Sequence, residues 1–246
     1  MVTDDFATRV SGIGALAEPA RRALYEFVAT SAEPVSRERA AHGVGVPLHT
    51  AKFHLDRLVA EGLLEVEFRR LTGRTGPGAG RPAKLYRRSA RQVSVSLPER
   101  RYDLAGEILA TAVDRAMAGE VPVHAAVRAA AEEAGRRAGA AAVETPESAA
   151  AQSQAAQSET LESEAGRTTR VLAAHGYEPR PRGAEIVLAN CPFDALVHQH
   201  TRLVCGLNEC FVSGLLDGLD CAGLHAALDP EPGLCCVKIR PRPSDA

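Results

Sequence analysis

The sequence predicts an α+β chain with a small basic module of helices and a hairpin at its start. A helical segment follows, and a cysteine-bearing α/β module with an antiparallel sheet ends it. Three observations predict this. From Ser36 to Arg91 there are 12 Lys or Arg against 5 acids, a local charge of +7, while the whole chain is −2 and the remainder therefore −9. In the same region the apolar spacing changes from helical to alternating. All six cysteines lie within the 46 residues from Cys191 to Cys236, and the first 190 residues have none. With 45% hydrophobic and 24% charged residues in 246, the chain can bury a core, which excludes wholesale disorder. No stretch approaches the ~18 apolar residues of a membrane helix. The start, MVTDDFATRV, has no basic-then-apolar pattern, so a soluble cytosolic protein is expected.

Residues 18–29 (EPARRALYEFVA) place Ala20, Leu24, Phe27 and Val28 at helical spacing. Ser36 stands at a capping position before RERAAHG, a short helix expected to end at Gly43. After VGVP, the run LHTAKFHLDRLVAEGLL carries Ala51, Leu55, Leu58 and Val59 on one stripe, and Gly62 stops it. Two short helices around a glycine-containing turn make a helix-turn-helix, whose second helix is the candidate groove reader. LLEVEFRR then alternates like a strand, LTGRTGPGAGRP is a basic Gly/Pro-rich loop, and AKLYRRS returns. A basic-tipped hairpin after a reading helix is a wing, and its arginines can reach phosphates or the minor groove. Residues 1–97 are therefore expected to form a winged helix-turn-helix DNA-binding domain. Its candidate contacts are His49, Thr50, Lys52, Phe53 and Arg57 on the reading helix, and Arg69, Arg74, Arg81 and Lys84 in the wing. For His42, His49 and His54, helix packing is the competing role. HLDRLVAEGLLE and GRPAKLYRRS resemble winged-helix regulators of the ArsR-like and SufR-like groups.

Residues 98–143 are Ala-rich, with Leu104, Ile108, Leu109, Val113 and Met117 on one helical face. A helix of this kind outside a DNA module pairs with its symmetry mate, so the segment is read as a helical dimerisation segment that spaces two half-sites. It can equally cover the C-terminal sheet. Residues 144–165 are acidic and low in complexity, an insertion without function of its own.

Residues 166–246 are read as the sensor domain. RTTRVLAAHG ends a helix at Gly176, EIVLAN is a strand, CPF leaves it, and DALVHQH makes a short helical turn. A helix through Leu203, Leu207, Phe211 and Leu215 follows, then strand, DPEPG turn and strand. In a reducing cytosol, clustered cysteines favour metal or redox chemistry over disulfides. The alternative is six small buried hydrophobes. Cys221 lies 16 residues beyond Cys205, about 24 Å along a continuous helix. The turn before Cys235 brings the chain back, so Cys191, Cys205 and the Cys235–Cys236 pair can converge while Cys221 does not. Adjacent strand residues face opposite ways unless the strand has not yet begun. Cys210 is turned about 140° from Cys205 and belongs to the core.

NCPFDALVHQH, LVCGLN, GLLDGL and the terminal CCVKI resemble the sensor domain of SufR-type iron–sulphur transcriptional regulators. With the winged helix, the resemblance spans the chain except residues 144–165. It implies a homodimeric repressor of cluster-assembly genes that binds a palindromic operator in double-stranded DNA, with an iron–sulphur cluster, [4Fe–4S], as cofactor. It also implies Cys191, Cys205 and Cys235 as ligands. The fourth position is open to Cys236, His200, His198 or Cys221, with Cys236 first. Thiolates also suit zinc, although zinc sites favour close pairs such as C-x2-C. The P-loop, G-x-G-x-x-G, G-x-S-x-G, H-E-x-x-H and C-x-x-C patterns are absent from the sequence, and no enzyme is expected. The competing class is a small-ligand-responsive regulator whose cysteines are core.

Overall fold

The computed structural model describes residues 6–69, 82–119, 121–144 and 163–243. The chain forms two compact units, Met1–Val95 and Ser96–Ala246.

In the first unit the order is α1 (Phe6–Ala15), α2 (Pro19–Thr30), β1 (Val35–Ser36), α3 (Arg37–Val44), α4 (Leu48–Ala60), β2 (Leu64–Arg69) and β3 (Ala83–Arg88). Local chemistry sets most of these boundaries. The Glu18 carboxylate accepts from the Ala20 and Arg21 amides and caps α2, whose first residue is proline. The Ser36 hydroxyl accepts from the Arg39 amide at 3.2 Å and starts α3. That helix ends at Gly45, in the left-handed conformation at φ 73°, rather than at Gly43. Gly43 answers a different need: a β-carbon there would collide with the Phe27 ring on α2. Leu24, Ala51, Leu55 and Leu58 are fully buried between α2 and α4. The sheet runs β1-β3-β2, antiparallel throughout, with Val66 opposite Tyr86 and Val35 on the other side of Tyr86. The two-residue β1 had no sequence signal of its own.

The second unit contains α5 (Tyr102–Met117), α6 (Val123–Val143), α7 (Glu164–Ala174), β4 (Pro179–Arg182), β5 (Glu185–Leu188), α8 (Asp194–Gly218), β6 (Leu224–Leu228) and β7 (Val237–Pro241). Its antiparallel sheet has the order β4-β5-β7-β6. The Ala-rich run is two helices, broken at Gly119 (φ 75°) and resumed after Pro122. Its buried face on α5 is Ala105, Ile108 and Ala112, whereas Val113 and Met117 of the expected stripe are exposed. The sequence split of DALVHQH from the following helix is a kink at His200 inside α8.

Helices α6 and α8 pack backbone to backbone. A β-carbon on Gly135 would strike the Phe211 carbonyl, and one on Gly214 would strike the Glu132 carbonyl. Gly139 and Gly218 repeat the arrangement one turn on, against Leu215 and Arg136. This contact fixes α8, and α8 carries Cys205. Residues 145–162, most of the expected insertion, lie outside the described residues.

Candidate functional site

On the first unit, α4 starts after Pro47 with no side-chain cap, which leaves its first amides directed outward. His49, Lys52, Phe53, Asp56 and Arg57 line one shallow pocket on its outer face. Phe53 is 66% exposed, an unusual state for a large aromatic ring. Thr50 is half-buried beside it, and His49 and Lys52 are exposed. Arg57 is exposed and paired with Glu61 one turn on. His54 belongs to the packing: it is 8% exposed, its Nδ1 accepts from Arg21, and its Nε2 lies 3.4 Å from the Glu18 carboxylate.

The wing residues divide. Lys84 on β3 reaches back to Asp56 of α4 at 2.6 Å and lies over the Tyr86 ring. Tyr86 donates to the same carboxylate at 3.2 Å. Burial alone would raise the Asp56 carboxyl, but the Lys84 hydrogen bond and charge hold it below its ordinary value. Lys84 therefore clamps the hairpin to α4. Arg69 is half-exposed and approaches Glu33 and Glu67 at 3.5 and 3.6 Å. Arg74 and Arg81 lie outside the described residues.

A Lys52→Gln substitution is expected to weaken binding to every duplex alike. It should reduce the slope of log affinity against log salt by about one. Fluorescence anisotropy across a salt series measures both, and an unchanged slope would remove Lys52 from the phosphate contacts.

In the second unit, three separate chain segments bring cysteines together. Cys191 follows β5, Cys205 lies on α8 beyond its kink, and Cys235 and Cys236 stand in the turn before β7. Because β7 begins only at Val237, the two neighbours are not constrained to opposite faces. The Cys235 thiol hydrogen-bonds Cys191, and the Cys205 and Cys236 sulphurs are 3.0 Å apart. The four sulphurs thus form two pairs. Among the described residues, no three His, Cys, Asp or Glu side chains form a group that could hold a metal ion. Hydrogen bonding from Cys235 holds the Cys191 thiol below its ordinary value, with the Phe193 amide and Arg100 adding to it. The same bond, with burial, pushes Cys235 up. Burial, with Cys236 beside it, pushes Cys205 up to about 12.

Cys210 and Cys221 lie elsewhere. Cys210 is buried in the main core, and Cys221 accepts from the Thr168 hydroxyl at 3.7 Å. His198 is an exposed surface residue near Asp194, and His200 is exposed at the kink.

The turn at Cys191 is stitched to the start of α5. Arg100 donates to the Cys191 carbonyl at 3.0 Å and to the Asn190 side chain, and its guanidinium lies 3.6 Å from Asp194. Asn190 donates to the Glu99 and Gly176 carbonyls, and the Arg101 amide donates to Pro192. Sequence reasoning missed these residues, because the bonds join positions 14 to about 90 residues apart, beyond any local pattern. The only local hint was Asn190 directly before the CPF run.

Residues 16–67 match a known family described as a helix-turn-helix domain. No curated protein matches the chain, and no solved structure does. The matched residues run from just after α1 into β2, and so include α2, α3, α4 and the start of the hairpin. No helix among the described residues is long and apolar enough to cross a membrane. The matched domain supports a DNA-binding transcription regulator of the helix-turn-helix type.

Proposed function

We propose that the protein is a dimeric repressor of the SufR type, whose DNA affinity is set by an iron–sulphur centre held by Cys191, Cys205, Cys235 and Cys236. One observation carries this reading: four thiols from three chain segments of the second unit approach in two pairs. The support is the chemistry of the donors, although no three of these side chains are gathered into a metal-holding group among the described residues. The set is all sulphur, it lies largely out of water, and Cys191 and Cys236 stay half-exposed, which leaves a route for loading. Two spaced pairs suit a polynuclear centre better than the compact tetrahedron of zinc. When bound, a cluster supplies a redox-sensitive link among thiolates.

The chain's own residues carry the rest. Drawing Cys191 toward Cys205 and Cys236 would fix the turn after β5. Arg100 and Asn190 would pass that position to the first residues of α5. α5 exposes Val113 and Met117, an apolar pair suited to a symmetry mate. Fixing α5 in a dimer would set the separation of two reading helices, which must match half-sites about 34 Å apart on a palindromic operator. Release of the thiols would free the turn and shift the population away from the DNA-competent arrangement.

An absorption spectrum of anaerobically purified protein, with iron, sulphide and zinc assayed on the same sample, tests the reading. A broad band near 400 nm with both iron and sulphide is expected, approximately where thiolate–iron charge transfer falls. The chain has no Trp, and its own absorption stays in the ultraviolet. Colourless protein with one zinc per chain, or protein that stays metal-free after reconstitution, would contradict it.

A further inference from the structure

Asn208 sits on α8 three residues after Cys205 and is 1% exposed. It is surrounded by apolar residues, Leu207, Phe211 and Val204 among them, where leucine would pack without any demand for partners. Its two polar ends are both occupied. The side-chain amide nitrogen donates to the Cys235 sulphur at 3.2 Å. The carbonyl oxygen accepts from the hydroxyl of Tyr177, itself 3% exposed and just past the left-handed Gly176.

This chain of bonds has a direction. In this orientation the Tyr177 hydroxyl donates to the oxygen, which leaves the amide N–H groups aimed at sulphur. A neutral thiol is a weak acceptor and gives little return for burying an amide. A thiolate is a strong one, and a charge-assisted N–H bond to it is correspondingly stronger. N–H donors to ligating sulphurs withdraw electron density and stabilise the more negative, reduced state of an iron–sulphur centre.

We propose that Asn208 is a positioning residue that orients the Cys235 sulphur for metal ligation and raises the reduction potential of the bound centre, with Tyr177 locking the amide in place. This rests on the reading of the four cysteines as an iron–sulphur site.

The test uses full-length protein, reconstituted anaerobically with iron and sulphide, as wild type, Asn208→Leu and Tyr177→Phe. Potentials are read by dye-mediated titration, and the sulphur-to-iron bands by visible circular dichroism. Asn208→Leu is expected to hold iron and sulphide at wild-type ratios, to titrate at a lower potential, and to show shifted bands. Tyr177→Phe should move both in the same direction by less. A purely structural role would change melting temperature without moving either readout. Should Asn208→Leu not fold, Tyr177→Phe decides alone, since only one oxygen is lost. A variant that loads fully and keeps the wild-type potential and bands would overturn the proposal. Wild-type protein that takes up neither iron nor sulphide would overturn the underlying reading and this proposal with it, an outcome visible before any variant is made.

Discussion

Replacing Cys191 by serine is expected to give a colourless protein that loses the bulk of its iron and sulphide and no longer changes DNA affinity with metal loading. Two features make this position the most sensitive of the four. It is the partner whose hydrogen bond dominates the Cys235 thiol. It is also the residue whose carbonyl Arg100 grips, so it joins the sulphur site to α5. Serine keeps the size and a weak donor but loses the soft thiolate. Cys210→Ala supplies the control, because Cys210 is buried away from the pairs in the core against α6. That variant should retain colour and response. A Cys191→Ser protein with normal iron and sulphide would show that the ligand set is chosen wrongly.

The second large effect lies in the contact between α6 and α8. Gly214→Val is expected to destabilise the second unit by roughly 3 kcal/mol or more. Its β-carbon would meet the Glu132 carbonyl, a backbone group that cannot swing aside as a side chain does. Thermal unfolding followed by circular dichroism should show a lower midpoint. Gly106→Ala on α5 is the opposite case, since a β-carbon there meets nothing within 4 Å. At that position alanine should stabilise by about 0.5–1 kcal/mol through helix propensity alone. If Gly214→Val melts like wild type, the two helices do not approach as closely as described.

Helices α2, α3 and α4 of the DNA-binding unit were legible because their signals are local: apolar residues at helical spacing in α2 and α4, a cap at Ser36, a stop at Gly62; α1 (Phe6–Ala15) was not read. Misassignments came where one residue type serves two physical needs. Gly43 reads as a helix end but exists to admit the Phe27 ring, and the true end is Gly45. β4 escaped notice because Pro179 and Pro181 argue against a strand, although an edge strand accommodates them. On α5, apolar spacing picked out Ile108, which is buried, and Leu104 and Leu109, which pack partly buried beside it, but Val113 and Met117 of the same stripe are exposed and Ala105 and Ala112 complete the buried face. At the site, chain geometry alone separated Cys221 from the other cysteines, and the structure holds it against Thr168. The contacts of Asn208, Tyr177, Asn190 and Arg100 were invisible, since no periodicity records a hydrogen bond between residues 31 or 90 positions apart.

Control of DNA binding by the cysteine site is read from the affinity of anaerobically loaded and chelator-stripped protein for one duplex, selected from a random pool by the loaded form. A difference of about tenfold or more in favour of the loaded protein is predicted, within the usual range of coupling between two sites. It should vanish in Cys191→Ser. Equal affinities for loaded and stripped wild-type protein would show that the cysteine site does not govern DNA binding.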